Sequence, residues 1–287
     1  MTIFKEGQNN HSQIMENIKL NLTYEYLQEI RLAHAVMETE FNLCVEPELN
    51  IRLERLKEQF GVNYSLTNEV NNIHEIKDIL IAHRTVVPET KIGNISRPLI
   101  WPHAMFDYCK SLWPEKRKIE YAFIGKLTNQ RQVWMQSFLS KKIKGYFNIT
   151  GKIKYDYKIF TFLNNIFGFS KPVLMTASLR GRRFPGKSWD DEYFQLQAQS
   201  KFIICPSGDV GCPWTYRFFE TMICGAIPIV ETASPCYAPF KFYMADEDPK
   251  NFIYDPEIVK FNFEQCIKHL TVPKEELALE IARLIGK

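Results

Sequence analysis

"KFIICPSGDVGCPWTYRFFETMICGAIPIVE", residues 201–231, decides how the chain is read. An apolar strand-length run (201–205) enters a loop bearing glycine, serine and proline. Helical spacing follows over 213–224, and a second apolar strand over 226–230. Strand, helix and strand on this scale make a parallel βαβ unit, in which crossover helices cover both faces of the sheet. Pro213 suits the first helical position and Gly225 the position just past the end. Phe218 and Met222 share one helix face, with Phe219 and Ile223 beside them. Arg217 and Glu220, three residues apart, are neighbours on a different face.

The same alternation extends outward from this unit. "YAFIG" (121–125), "KPVLMTAS" (171–178) and "KFIIC" (201–205) read as strands, and 129–142 and 189–200 as helices. The first half has a weaker pattern. Apolar spacing predicts a helix over 13–38, a strand over 41–46, a helix over 49–61 ended by Gly61, and a strand over 77–83. Residues 95–118 carry three prolines and no clear period, so they are expected to be a connecting segment. Residues 273–287 form an amphipathic helix beginning after a proline.

Composition limits the function classes. The 287 residues are 45% hydrophobic, 24% charged and 14% aromatic, as in a globular enzyme of one or two domains. A net charge of +3 argues against a nucleic-acid-binding face. No apolar run reaches the ~20 residues of a membrane span. The opening MTIFKEGQNNHSQ lacks a signal-peptide core, so a soluble cytoplasmic protein is expected. Seven cysteines without C-x-x-C spacing fit reduced thiols, and the sequons at Asn21, Asn63, Asn94 and Asn148 fit chance occurrence.

In a parallel α/β sheet, ligands bind at the carboxyl ends of strands, where a helix N-terminus favours phosphate. The loop 206–212 stands at such a place. A nucleoside diphosphate held there would meet loop amides, the Ser207 or Thr215 hydroxyl and Arg217, with Gly208 and Gly211 letting the backbone approach. Glu220 would then accept from ribose hydroxyls. The bland alternative is a solvated Arg217–Glu220 pair after an ordinary loop.

These residues resemble the donor-binding segment of exostosin-like glycosyltransferases. The shared pattern comprises Pro206, Gly208-Asp209, Thr215-Tyr216-Arg217, Glu220, Gly225 and Ile227-Pro228-Ile229. "EYAFIGKLTNQR" resembles the family's strand–Gly–loop–Arg opening and places Gly125 and Arg131. The resemblance covers roughly 119–245, and the loop from Asp209 to Thr215 is longer than the family's.

The resemblance implies a GT-B fold: two Rossmann-like domains facing a cleft, with a last helix crossing back to the first. Domain boundaries are expected at 1–110 (acceptor side), 111–270 (nucleotide-sugar side) and 271–287 (crossover helix). It also implies an inverting transferase that moves a sugar from a UDP-sugar to a carbohydrate hydroxyl, with no metal and no other cofactor. Arg131, Arg217 and one of Arg180, Arg182 and Arg183 would neutralise the diphosphate; of these three, Arg182 is the one favoured. Direct inversion needs a base. Glu46 and His83, each following a predicted strand, are the first candidates, with Glu38, Glu40, His103 and Asp107 open. Trp101 either faces the cleft or packs the hinge. Asp246-Glu247-Asp248 matches a metal-binding Asp-x-Asp but reads as a polar turn. Cys205, Cys212, Cys224 and Cys236 read as small buried residues. Alternatives are a GDP-fucose-type transferase and a non-catalytic nucleotide-sugar or glycan-binding module.

Overall fold

A computed structural model describes residues 16–126, 173–178, 189–208 and 212–287, with single positions between 128 and 138. In the first half, β1 (Asn17–Leu20), β2 (Asn42–Val45), β3 (Ser65–Leu66) and β4 (Ile73–Ile76) form one parallel sheet in the order β3-β2-β1-β4. α1 (Leu27–Met37) and α2 (Asn50–Phe60) serve it. Gly61 ends α2 in the left-handed region at φ 64°.

The expected helix over 13–38 is corrected: it divides into β1 and α1. Ile18 and Leu20 are buried while Asn17 and Lys19 are half-buried, a period of two that a helical count overlooks. β1 is paired on both sides, so it is an inner strand of its sheet.

The predicted strand over 77–83 exists as β5 (Ile79–Ala82), but it lies in an antiparallel meander with β6 (Glu89–Ile92) and β7 (Ile95–Arg97). The segment 95–118 is likewise more than a connection. It supplies β7 and then α3 (His103–Ser111), which starts directly after Pro102 and is capped by Glu38, whose carboxylate accepts from the His103 and Ala104 amides at 2.9 and 2.7 Å. Trp101 packs the hinge: it is wholly buried, and its indole donates to Gln28 at 3.1 Å.

The second sheet is parallel, in the order β12-β11-β10-β8-β9, built from β8 (Ile119–Lys126), β9 (Val173–Ser178), β10 (Ser200–Cys205), β11 (Ile227–Val230) and β12 (Tyr243–Met244). α4 (Asp191–Ala198), α5 (Tyr216–Ile223) and α6 (Pro256–Leu270) flank it. Alternate strand residues feed opposite faces. Phe202, Ile204, Ile227 and Ile229 enter one cluster with Tyr121 and Phe123, while Ile203, Cys205 and Val230 enter the larger core. That larger core runs without a break into the first half, where Trp101 meets Phe219 edge to face at 6.3 Å.

α5 begins at Tyr216 rather than at Pro213, with Thr215 as its extended N-cap residue. Gly225, at φ 71°, closes it as read from the sequence. α7 (Lys274–Leu284) returns to the first half and packs on α1. There Glu280 accepts from the Asn94 amide at the β6–β7 turn. Gly93 has φ 56° at this turn, and a Cβ there would sit 1.9 Å from the Glu280 carboxylate. Two Rossmann-like parallel sheets and a last helix returning to the first are the layout the resemblance implies. Among the described residues, no helix is long and apolar enough to cross a membrane.

Candidate functional site

Both sheets contain a topological switch point, the place where strand order reverses and ligands bind open α/β sheets. In the second sheet the reversal lies between β8 and β10. Arg217, in the first turn of α5, reaches this point. Its Nε donates to the Ile124 carbonyl at 3.0 Å, and its guanidinium lies 4.5 Å from the Phe123 ring centre. Gly125 makes the room, since a Cβ there would fall 2.1 Å from Arg217 Nη2. The side chain is buried, and its Nη1 has no hydrogen-bond partner among the described residues.

Around it stand the end of β10 and the loop beyond. Arg131 donates from Nε and Nη2 to the Ser207 carbonyl at 3.1 and 2.9 Å, and the Ser207 amide donates to Glu231 at 3.0 Å. The Ser207 hydroxyl is buried without a partner among the described residues. Gly208 is required by the loop itself, because a Cβ would come 2.9 Å from the Cys212 carbonyl oxygen and 3.1 Å from that of Trp214. The Thr215 amide donates to the Tyr237 hydroxyl at 2.8 Å. Arg180, Arg182, Arg183, Asp209 and Gly211 lie outside the described residues.

Neither charge of the Arg217–Glu220 couple is solvated, so the bland alternative is corrected. Glu220 has no exposed surface. One oxygen pairs with Arg31 of α1, and the other accepts from the Tyr193 hydroxyl at 2.6 Å. The ribose contact expected of Glu220 therefore meets a carboxylate engaged on both oxygens and bound to the first half of the chain. Arg31 was missed in the sequence. Its signal was α1 itself: Ile30, Leu32, Ala33, Ala35 and Val36 leave no solvent face, so a charge among them must find a partner. Its guanidinium lies 4.3 Å from the Trp101 ring centre and 5.6 Å from that of Tyr216.

His83 joins this group from the first half. Its Nδ1 is hydrogen-bonded to the Tyr216 hydroxyl, and its ring packs against Tyr216 and Trp214 at 5.7 and 6.4 Å. The Trp214 indole fastens the same segment by donating to the Thr85 carbonyl at 2.9 Å. Burial, reinforced by the Arg31 charge, pushes the His83 pKa down to about 4, so the imidazole is neutral at ordinary pH. Its Nε2 is buried and has no partner among the described residues. The structure thus brings His83, Tyr216, Arg31 and Glu220 into one linked cluster across the two halves.

Glu46 is placed elsewhere, bonded by Lys19 and by the Thr67 hydroxyl at 2.6 Å, both of which hold its carboxyl below the usual range. That makes it a poorer base than an ordinary glutamate. Glu38 caps α3, and His103 Nε2 lies 3.0 Å from the Val272 carbonyl. Glu40 and Asp107 are exposed. In the 246–248 turn, Glu247 accepts from the Met244 amide at 2.6 Å and Asp248 from the Lys250 amide at 3.0 Å, both turn-closing bonds. Cys205, Cys224 and Cys236 are buried free thiols, and Cys212 is half-buried. No group of three His, Cys, Asp or Glu side chains is placed to hold a metal ion among the described residues.

No protein-family model matches the chain, and no curated protein matches it. Among solved structures, sucrose-phosphate synthase from Thermosynechococcus elongatus is similar at 12% identity, over 88% of this chain and 59% of its own, with a TM-score of 0.35. TarM is similar at 10% identity over 86% and 43%, with a TM-score of 0.34. The GtfA/B complex is similar at 11% over 86% and 45%, with a TM-score of 0.30. The chain spans about half the length of these structures. At such scores the likeness by itself decides neither substrate nor activity.

Proposed function

We propose that the chain is a glycosyltransferase that moves a sugar from a nucleoside-diphosphate donor, UDP-linked by the resemblance, to a carbohydrate hydroxyl with inversion. One observation carries this reading. Arg217 Nη1, Ser207 Oγ and His83 Nε2 are buried polar atoms without partners among the described residues; Arg217 and Ser207 stand beside the ends of β8 and β10, and His83 is bonded to Tyr216 of the same α5. Buried polar groups are normally paired, so such atoms mark where a polar ligand is owed.

In this reading the diphosphate lies at the β8–β10 switch point. Arg217, Arg131, the Ser207 hydroxyl and the N-terminal end of α5 take up its charge there, and the Gly208 turn shapes the rim. Arg182, four residues after β9 in the sequence and outside the described residues, belongs to the proposal as a further cation. His83 acts as base: Nδ1–H donates to the Tyr216 hydroxyl oxygen, and Nε2 takes the proton of the attacking hydroxyl. That oxygen bonds to the anomeric carbon as the carbon–oxygen bond to the diphosphate breaks, and the nucleoside diphosphate departs with the bonding pair. Glu220 enters through Arg31, which it holds beneath Tyr216. Glu46 has no part in the step.

The test is a donor screen by nucleotide release, across UDP-, GDP- and CMP-sugars with mixed glycan acceptors. Release from a UDP-sugar that depends on Arg217 and His83 supports the proposal. Release from GDP-fucose alone moves it to the fucosyl alternative. Nucleotide binding without release from any donor leaves the binding-module alternative.

A further inference from the structure

The first sheet has its own switch point, between β1 and β4, and the loop leaving β1 there has no role in the donor reading. This loop is pinned at several points. The Asn21 amide donates to the Ile76 carbonyl at the end of β4, at 3.0 Å. Tyr24 is buried at φ 54°, a conformation that bulky residues seldom adopt. Glu29 accepts from the Thr23 hydroxyl at 3.0 Å and from the Tyr26 amide at 3.2 Å. The outcome is a tyrosine, Tyr26, fixed by its backbone and 54% exposed.

That ring is stacked beside His83, with centroids 6.4 Å apart and planes 21° apart. Val86 and Val87, three and four residues after His83, are 57% and 46% exposed. Such a surface suits a pyranose. The C–H bonds on one face of the sugar present weakly positive hydrogens to the negative face of the phenol ring, while its hydroxyls stay at the edge. His83, the neighbouring ring, carries an Nε2 that lacks a partner among the described residues.

We propose that Tyr26 is the stacking platform for the acceptor saccharide, holding one sugar ring so that a hydroxyl is offered to His83. The inference rests on the glycosyltransferase reading for its direction of transfer, but the platform is a binding site testable without turnover. Tyr26 is absent from the residues singled out in the sequence, because a lone tyrosine inside the helix expected over 13–38 carries no motif.

The experiment is saturation-transfer NMR on the full chain with the methyl pyranosides of glucose, galactose, mannose, xylose and N-acetylglucosamine. Each is measured against the natural protein, Tyr26→Ala and Tyr26→Trp. UDP and GDP titrations run on the same three proteins. At least one glycoside should receive saturation at its ring protons. The signal should fall roughly three- to ten-fold in Tyr26→Ala, the range of an aromatic stack, and be retained in Tyr26→Trp. Nucleotide affinity should be equal in all three. Three outcomes overturn the platform: no glycoside signal from the natural protein, a signal unchanged in Tyr26→Ala, or a nucleotide affinity that falls in Tyr26→Ala. Nucleotides that bind nowhere, with a glycoside signal that still depends on Tyr26, would sink the donor reading and leave the saccharide site standing.

Discussion

Breaking the Arg31–Glu220 pair separates two roles for the glutamate. The side chains are 6% and 0% exposed, and the pair joins α1 of the first half to α5 of the second. At an effective dielectric near 20, opposite charges ~3 Å apart attract by roughly 5 kcal/mol. Desolvation offsets most of that, so the pair as a whole is close to neutral for stability. Removing one partner is different, because the other charge then stays buried and unpaired, at a cost of about 3–5 kcal/mol. Glu220→Gln keeps the shape and the Tyr193 bond but strands Arg31, and Arg31→Met strands Glu220. Each single variant should lower the urea midpoint by about that free energy, with the slope unchanged. The double variant should recover roughly 2–3 kcal/mol of the summed loss. If Glu220→Gln keeps its stability within about 0.5 kcal/mol and instead loses nucleotide affinity, the carboxylate serves the ribose and the anchoring argument is refuted. Strict additivity of the two losses would refute it as well.

Other outcomes follow from the same geometry. Arg217→Ala should weaken UDP binding about ten- to a hundredfold, the worth of a charged hydrogen bond, and calorimetry checks it. Gly125→Ala should give a similar loss without touching Arg217, since its Cβ would occupy the place of Nη2, now 2.1 Å away. Burial, with the Lys274 charge second, pushes the His34 pKa down to about 3. Between there and about 6.5 the unfolded chain binds the extra proton, so stability falls with falling pH, by about 2 kcal/mol at pH 5. Urea titrations should show the fall toward pH 5 reduced by about that amount in His34→Leu, with the similar share of His83 remaining. With the His83 pKa near 4, kcat/KM should rise through that pH and stay level above it. A bound diphosphate should lift the acid limb of kcat to higher pH, and equal limbs would place the diphosphate far from His83.

What was legible in the sequence followed local chemistry. β10, α5 and β11 could be read because Phe202–Cys205 and Ile227–Val230 are unbroken apolar runs and Gly225 marks the stop. Gly125 and Arg217 could be marked separately as site residues, but their contact required the fold to bring β8 and α5 together. β1 was hidden because Ile18 and Leu20 alternate for only four residues before the apolar residues of α1 begin, and the two patterns blend. α3 was hidden by its prolines, although Pro102 only precedes it. The His83–Tyr216 bond joins residues 133 apart and has no sequence signal at all. Arg31 left a trace, a charge on a helix without a solvent face, but its partner lies 189 residues away.

The most direct measurement is a crystal structure of the chain soaked with a nucleotide sugar. The account predicts the diphosphate between the ends of β8 and β10, within hydrogen-bond distance of the Arg217 guanidinium, and the anomeric carbon facing His83. A nucleotide bound at any other place, with Arg217 Nη1 still unpaired, would contradict it.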